Sequence, residues 1–207
     1  MLKLLYITED TFPPFRVDVV ELFARQLVSR GYTIDWVMDV QQPSPELGAE
    51  TRWLGSRVFL AGNAGGEGLL GRVTRNLKGV LNDLRILWLA RRGNYHVIQV
   101  RDKFFAGLVA ALAARLTRAR FVFWMSYPLA ESKLQLAQNP QARHRWLLRL
   151  KGRLMQASLY GAILPAADHV FVQSERMKRD VVAHGIDAAR VTPVPMGIRA
   201  DKVGQAA

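Results

Sequence analysis

The sequence contains no cysteine. Disulfides, thiolate metal centres and a cysteine nucleophile are therefore excluded, and the composition fits a reducing compartment such as the cytoplasm. Histidine is scarce as well, with four scattered copies, so no metal site is expected. Long hydrophobic runs are also missing. The longest uncharged stretches, 104–114 and 154–167, fall short of the ~20 residues that span a bilayer. The opening MLKLLYITED meets acids by Glu9, too soon for a signal-peptide core, and is read as a first strand. Acids are few, 17 against 29 bases, for a net charge of +12.

What is present is enough for a packed core. Half of the 207 residues are apolar and 22% are charged, the range of a globular chain forming one large domain or two small ones. The charge is unevenly placed. Residues 1–50 hold four bases and eight acids, whereas 69–92 hold six bases and one acid, and 141–165 hold five bases and no acid. A basic surface of this kind points to phosphates, whether of a substrate, a lipid headgroup or nucleic acid. No nucleic-acid recognition motif accompanies it, so specific nucleic-acid binding is not expected.

Apolar runs of strand length alternate with longer stretches of helical period, the pattern of an α/β Rossmann-like parallel sheet with helices on both faces. Strands are predicted over 2–8, 33–38, 58–61, 97–101, 121–125, 170–173 and 191–194. Helices are predicted over 17–30, with Val20, Phe23, Ala24, Leu27 and Val28 on one face, and over 69–92, 104–116 and 141–163. A further helix is capped by Ser174 and stopped by Gly185. The alanine- and leucine-rich helix 104–116 is expected to be buried between neighbours. Segments 41–48 and 62–68 read as loops, and the terminal DKVGQAA as a frayed end or linker.

In an open parallel sheet, ligands collect at the carboxyl ends of the strands. The loop after the first strand carries Arg16 and Asp18 ahead of a helix start, where Arg16 is placed either to bind a phosphate or to pair with its neighbours. GNAGGEG lacks the Lys-Ser/Thr of a phosphate loop and reads as a flexible connection. Arg101, Asp102 and Lys103 end the fourth strand. Asp102 either accepts a hydrogen bond from a sugar hydroxyl or caps the next helix. Ser126 and Tyr127 follow the fifth strand, and no histidine in the same motif activates Ser126 as a nucleophile. Ser174 reads as a cap, with Glu175 suited to the helix amino end.

The basic helices form a second group. Arg145, Arg149 and Arg153 recur every four residues beside Trp146, Leu150 and Leu154, a pattern that suits either an anionic membrane surface or an ordinary helix with a basic solvated face. In 69–92 the apolar face is Val73, Leu77, Val80, Leu81, Leu84 and Trp88, with Arg72, Arg75, Lys78 and Arg85 off it.

Three segments, LLYITEDTFPPFRVDVVELFARQLVSRGYTIDWV, VIQVRDKFFAGLVAALAARLTRARFVFWMS and ADHVFVQSERMKRDVVAHGIDAARVTPVPMGI, together resemble the amino-terminal domain of family 4 retaining glycosyltransferases of GT-B fold. The resemblance implies transfer of a sugar from a nucleotide diphosphate-sugar to a sugar or lipid-linked acceptor, with retention and without a metal or other cofactor. It places the acceptor on this domain, over residues 1–197, with 198–207 beginning an interdomain linker. It assigns the nucleotide-sugar mainly to a carboxyl-terminal domain that these 207 residues do not contain, so the chain alone is expected to be inactive. The residues implied for acceptor and substrate are Arg16, Asp18, Arg101, Asp102, Lys103, Ser126, Tyr127, Ser174 and Glu175, with Asp102 and Ser126 as catalytic candidates. The expected location is the cytoplasm, peripheral on the inner membrane face, with Arg145, Trp146, Arg149 and Arg153 at the surface. Two positions depart from the family. Phe15-Arg16-Val17-Asp18 stands where relatives carry a Gly-Gly pair, and Ser126 where many carry a histidine. The competing expectation is a non-enzymatic basic domain on a membrane. A phospho-receiver module, suggested by Glu9-Asp10, lacks an acidic site after the third strand.

Overall fold

The structure, a computed structural model, describes residues 2–40, 50–60 and 69–195, apart from the side chains at 69, 70, 72, 75 and 76. The loops predicted at 41–48 and 62–68, the side chains of Arg72 and Arg75, Met196-Gly197 and the tail 198–207 lie outside the described residues.

Eight strands form one sheet, in the order β3-β4-β2-β1-β5-β6-β7-β8. They are β1 (Lys3–Phe12), β2 (Thr33–Val40), β3 (Glu50–Trp53), β4 (Ser56–Leu60), β5 (Val97–Arg101), β6 (Arg120–Met125), β7 (His169–Val172) and β8 (Val191–Pro193). All pairs are parallel except β3 with β4. The sequence reading missed β3, a short strand of mixed polarity. It reaches β4 through Leu54 and Gly55, both at positive φ (47° and 81°), the backbone a two-residue hairpin turn demands.

Period-two alternation feeds two cores. Leu5 and Ile7 of β1 point to one face with Val37, Ile98, Val100 and Phe123, while Leu4 and Tyr6 point to the other with Ile34, Trp36 and Met38. Both faces are buried there, which is why the central strands read as near-continuous apolar runs. The first face is covered by α1 (Leu69–Gly93), α2 (Phe104–Thr117), the π-helical stretch (Leu159–Ile163) that continues α4 (Arg145–Ser158) into α5 (Leu164–Ala166), and α6 (Glu175–Ala183). The second face is covered by a π-helix, Asp18–Leu27. Beyond it, over β5 to β7, lies an apolar hollow of about 370 Å³ lined by Phe23, Val97, Val122, Trp124 and Phe171.

Four helical expectations change. The first helix winds with π rather than α spacing, so the buried set becomes Val19, Phe23 and Ala24, with Val20 only half-buried. The polar loop before the second basic helix contains α3 (Leu129–Leu136), which packs against α4 where Gly152 has no side chain; a Cβ there would lie 2.9 Å from Leu134. The second basic helix accordingly starts at Arg145 rather than 141. Finally, α2 is not buried all round. Ala106, Gly107, Ala110, Ala113 and Ala114 face the core, their small size letting the helix lie close to the sheet, while Phe105, Leu108, Leu112 and Leu116 remain exposed. No described helix is long and apolar enough to cross a membrane.

Candidate functional site

From β1 the chain moves to β2 on one side, and later returns to β5 on the other, so the carboxyl ends of β1 and β5 flank a topological switch point. Register carries the alignment further. Thr8 lies opposite Arg101, and Arg101 opposite Trp124, which brings the residues after β1, β5 and β6 to one level.

Asp102 occupies the left-handed region at φ 56°, a conformation aspartate tolerates better than most residues. Its amide donates to the Trp124 carbonyl at 3.2 Å. Its carboxylate accepts from the Ser126 amide at 2.8 Å and from the Ser126 hydroxyl. The left-handed turn aims the carboxylate at β6, so Asp102 does not cap α2. The cap position belongs to Lys103, which makes no side-chain cap bond.

Arg101 is fully buried, unusual for an arginine and tolerable only with counter-charges. Its Nη1 lies 2.6 Å from Asp18 Oδ2 and its Nε 3.7 Å from Asp102 Oδ2. Neither nitrogen meets the alignment of a directed hydrogen bond, so these contacts are ionic in character. The guanidinium also stacks 4.9 Å from the Trp124 ring. Arg16 sits at the rim with its Nε 3.8 Å from Asp18 and 3.9 Å from Asp10, its side chain 26% exposed. Asp10 in turn accepts from the Thr8 hydroxyl at 2.7 Å.

The cluster thus gathers Arg16, Asp18, Arg101, Asp102 and Ser126, as the sequence pattern proposed, and adds Asp10 and Glu9. Glu9 is exposed on β1, yet partial burial of its carboxyl, then the nearby Asp102 and Asp10 charges, push it above its ordinary range. Burial also raises Asp102, against the Ser126 hydrogen bonds that favour its ionised form. Two guanidiniums among four carboxylates leave the site acid-rich, with carboxyl groups suited to accept a hydrogen bond or a proton from a hydroxyl.

The remaining candidates are placed differently. Lys103 turns away to Asp83 at 3.0 Å and Asp39 at 3.5 Å. Tyr127 is exposed, its hydroxyl 3.4 Å from Ser132 Oγ. Ser174 caps α6 by accepting from the Met177 amide at 3.2 Å, and Glu175 is exposed in the first turn. Arg145, Trp146, Arg149 and Arg153 are all exposed on α4; the Arg145 Nε donates to the Ala137 carbonyl at 3.1 Å. Glu9 and Asp10 were weighed only as the mark of a phospho-receiver module and not joined to Arg16 and Asp102, because the first strand was expected to end at Thr8. It runs on to Phe12, and the Thr-x-Asp alternation that puts residues 8 and 10 on one side was the available signal.

The fold is shared with glycosyltransferases of the GT-B class. Sucrose-phosphate synthase from Thermosynechococcus elongatus superposes with a TM-score of 0.62 at 15% identity, over 99% of this chain and 52% of that one. UGT2 of Phytolacca americana superposes with a TM-score of 0.52 at 12% identity, over 99% of this chain and 54% of that one. The chain therefore spans about half the length of these structures. No curated protein matches the sequence. The model of one family does match, over residues 17–197, and by that match the chain belongs to the glycosyl transferase 4-like domain family.

Proposed function

We propose that this chain is the acceptor-binding side of an enzyme that moves a sugar from a nucleotide diphosphate-sugar to a sugar or lipid-linked acceptor, with retention at the anomeric carbon. The observation that supports this best is the buried Asp102–Ser126 pair at the switch point, with Glu9 beside it and Arg16 at the rim. In such a transfer the bond between the anomeric carbon and the diphosphate oxygen breaks, the acceptor oxygen bonds to that carbon, and the hydroxyl proton passes to the departing diphosphate oxygen. Asp102 holds the acceptor hydroxyl through a hydrogen bond, Ser126 fixes the carboxylate, and Arg16 meets phosphate charge. Tyr127, Ser174 and Glu175 complete the acceptor-facing rim. Lys103, tied to Asp83 and Asp39, positions the start of α2.

In this reading residues 1–197 are one domain, 198–207 lead toward a second, and most diphosphate stabilisation belongs to that second domain. The half-length coverage of the similar structures supports the division. The reading takes the nucleotide-sugar as donor substrate and, as the family resemblance implies, no metal or other cofactor. The protein works in the cytoplasm, peripheral on the inner face of the membrane. A non-enzymatic basic membrane domain is the second reading, favoured only by the exposed basic helices.

Two measurements test the proposal. With UDP-glucose as probe, the purified 207 residues should show little or no turnover, and rapid transfer or hydrolysis would overturn the division of labour. Calorimetric titration with a panel of sugars, sugar phosphates and polyprenyl-phosphate sugars should find a ligand whose affinity drops about tenfold or more in Asp102→Asn, the effect of removing a charged hydrogen-bond acceptor. A panel in which nothing binds, or binds equally to the variant, would favour the non-enzymatic reading.

A further inference from the structure

The outer faces of α1, α2 and α4 hold fourteen of the twenty large apolar side chains exposed among the described residues. On α1 the run Val73, Leu77, Leu81, Leu84 and Trp88 points outward, while Ile86, Leu89 and Ala90 point to the core, so this helix is apolar on two sides. The three stripes adjoin. Helix α1 packs along α2, and Phe105 and Leu108 of α2 line a trough of about 420 Å³ with Leu150 and Leu154 of α4. A contiguous apolar surface of this kind is rare on a monomer and marks an interaction site.

Charge selects the occupant. The three helices carry eleven Lys and Arg but one acid, Asp83, and that acid is buried and paired with Lys103. A second copy of the same face would bring two basic rims together, an electrostatically opposed pairing. An anionic bilayer complements both features. Apolar side chains enter the acyl boundary, Trp88 and Trp146 suit the headgroup level, and the Arg and Lys stems cover apolar surface while their charges meet headgroups.

We infer that α1, α2 and α4 together form a docking face for an anionic membrane surface. This deepens the peripheral position in the functional reading above and rests on it, but it requires no turnover. It also enlarges the contact from the four residues of α4 to three helices. The trough begins at Phe104 and Phe105, directly after Asp102 and Lys103 in the chain, so a docked face sets the candidate site at the membrane edge.

Vesicle flotation of the 207-residue chain tests the inference. Binding is expected to vesicles of phosphatidylcholine mixed with phosphatidylglycerol and to be far weaker with phosphatidylcholine alone; salt should loosen it without abolishing it, because apolar contact persists. Leu77→Glu with Leu81→Glu, and separately Arg149→Glu with Arg153→Glu, should each lower partitioning on the order of tenfold or more. All four positions are exposed, so circular dichroism and melting temperature should stay unchanged. Equal or absent binding to the two vesicle types would overturn the inference. So would binding that survives the α1 pair, a lipid-free dimer that the α1 pair dissolves, or displacement of vesicles by random duplex DNA. Because no step depends on sugar transfer, failure here is distinguishable from failure of the transferase reading.

Discussion

The carboxyl ends of β1, β5 and β6 and the outer faces of α1, α2 and α4 treat charge in opposite ways. At the strand ends each guanidinium has a carboxylate within 4 Å, and Arg101 is buried among its partners. On the helices the bases outnumber the acids eleven to one, and the single acid is withdrawn to Lys103. Ten of the net twelve positive charges therefore sit on these three helices, not at the candidate site. Overall basicity thus bears on the proposed docking face, whereas the candidate site is an acid-rich cluster in which Arg16 is the partly exposed cation. In the proposed reading, the membrane surface and the acceptor hydroxyl are met by different parts of the fold.

Substitutions at the two regions should separate them sharply. Arg101→Ala should have the largest effect, a loss of about 3–5 kcal/mol in denaturant unfolding, since it strands Asp18 and Asp102 without their buried counter-charge. A loss near zero would mean that these ion pairs do not hold the site together.

An intermediate effect should appear in pH dependence. Glu9 and Asp102 have folded-state values raised above their ordinary 4.5 and 3.8. Folding therefore favours their protonated forms, and the stability they contribute, full below those ordinary values, is lost as pH rises through the raised ones. Asp35 behaves oppositely. Burial pushes it up, but hydrogen bonds from Arg57 and Tyr95, with the Arg57 and Lys3 charges, outweigh this and hold it low, so its contribution disappears as pH falls below 3.8. Glu9→Gln should consequently flatten the decline above pH 4.5 while leaving the acid limb intact, which urea melts across pH would show. The smallest effect is expected on the helices. Leu81→Ser and Trp146→Ala should each change stability by less than about 0.5 kcal/mol, because both side chains already face solvent. A large loss at either would reveal a packing role and weaken the contrast.

The sequence made the central sheet legible because β1, β2, β5 and β6 are buried on both faces and carry near-continuous apolar runs. Gly31 and Gly185, at φ 88° and 91°, marked two helix ends correctly. Less visible were β3, whose partner is seen only once β4 is placed, and α3, whose eight residues bury Ala130 alone. Residue types at the strand ends singled out Arg16, Asp18, Arg101, Asp102 and Ser126, which the fold brings together, and offered the Arg16–Asp18 pairing, but not the contacts of Arg101 or Asp102. That Asp102 turns to Ser126 instead of capping α2 depends on one left-handed backbone position, which no periodicity encodes. Nor did the apolar stripe of α1 reveal its direction, since the helix has a second apolar side and three-dimensional packing decides which one meets the sheet.

The most direct test of an acceptor site at the switch point is a ¹⁵N NMR titration of the 207-residue chain, with acceptor sugars and with UDP-glucose added separately. Acceptor binding should shift the amides of Glu9, Asp102 and Ser126 most strongly, while UDP-glucose alone moves them little. Shifts driven by UDP-glucose alone, or acceptor shifts confined to residues away from β1, β5 and β6, would contradict it.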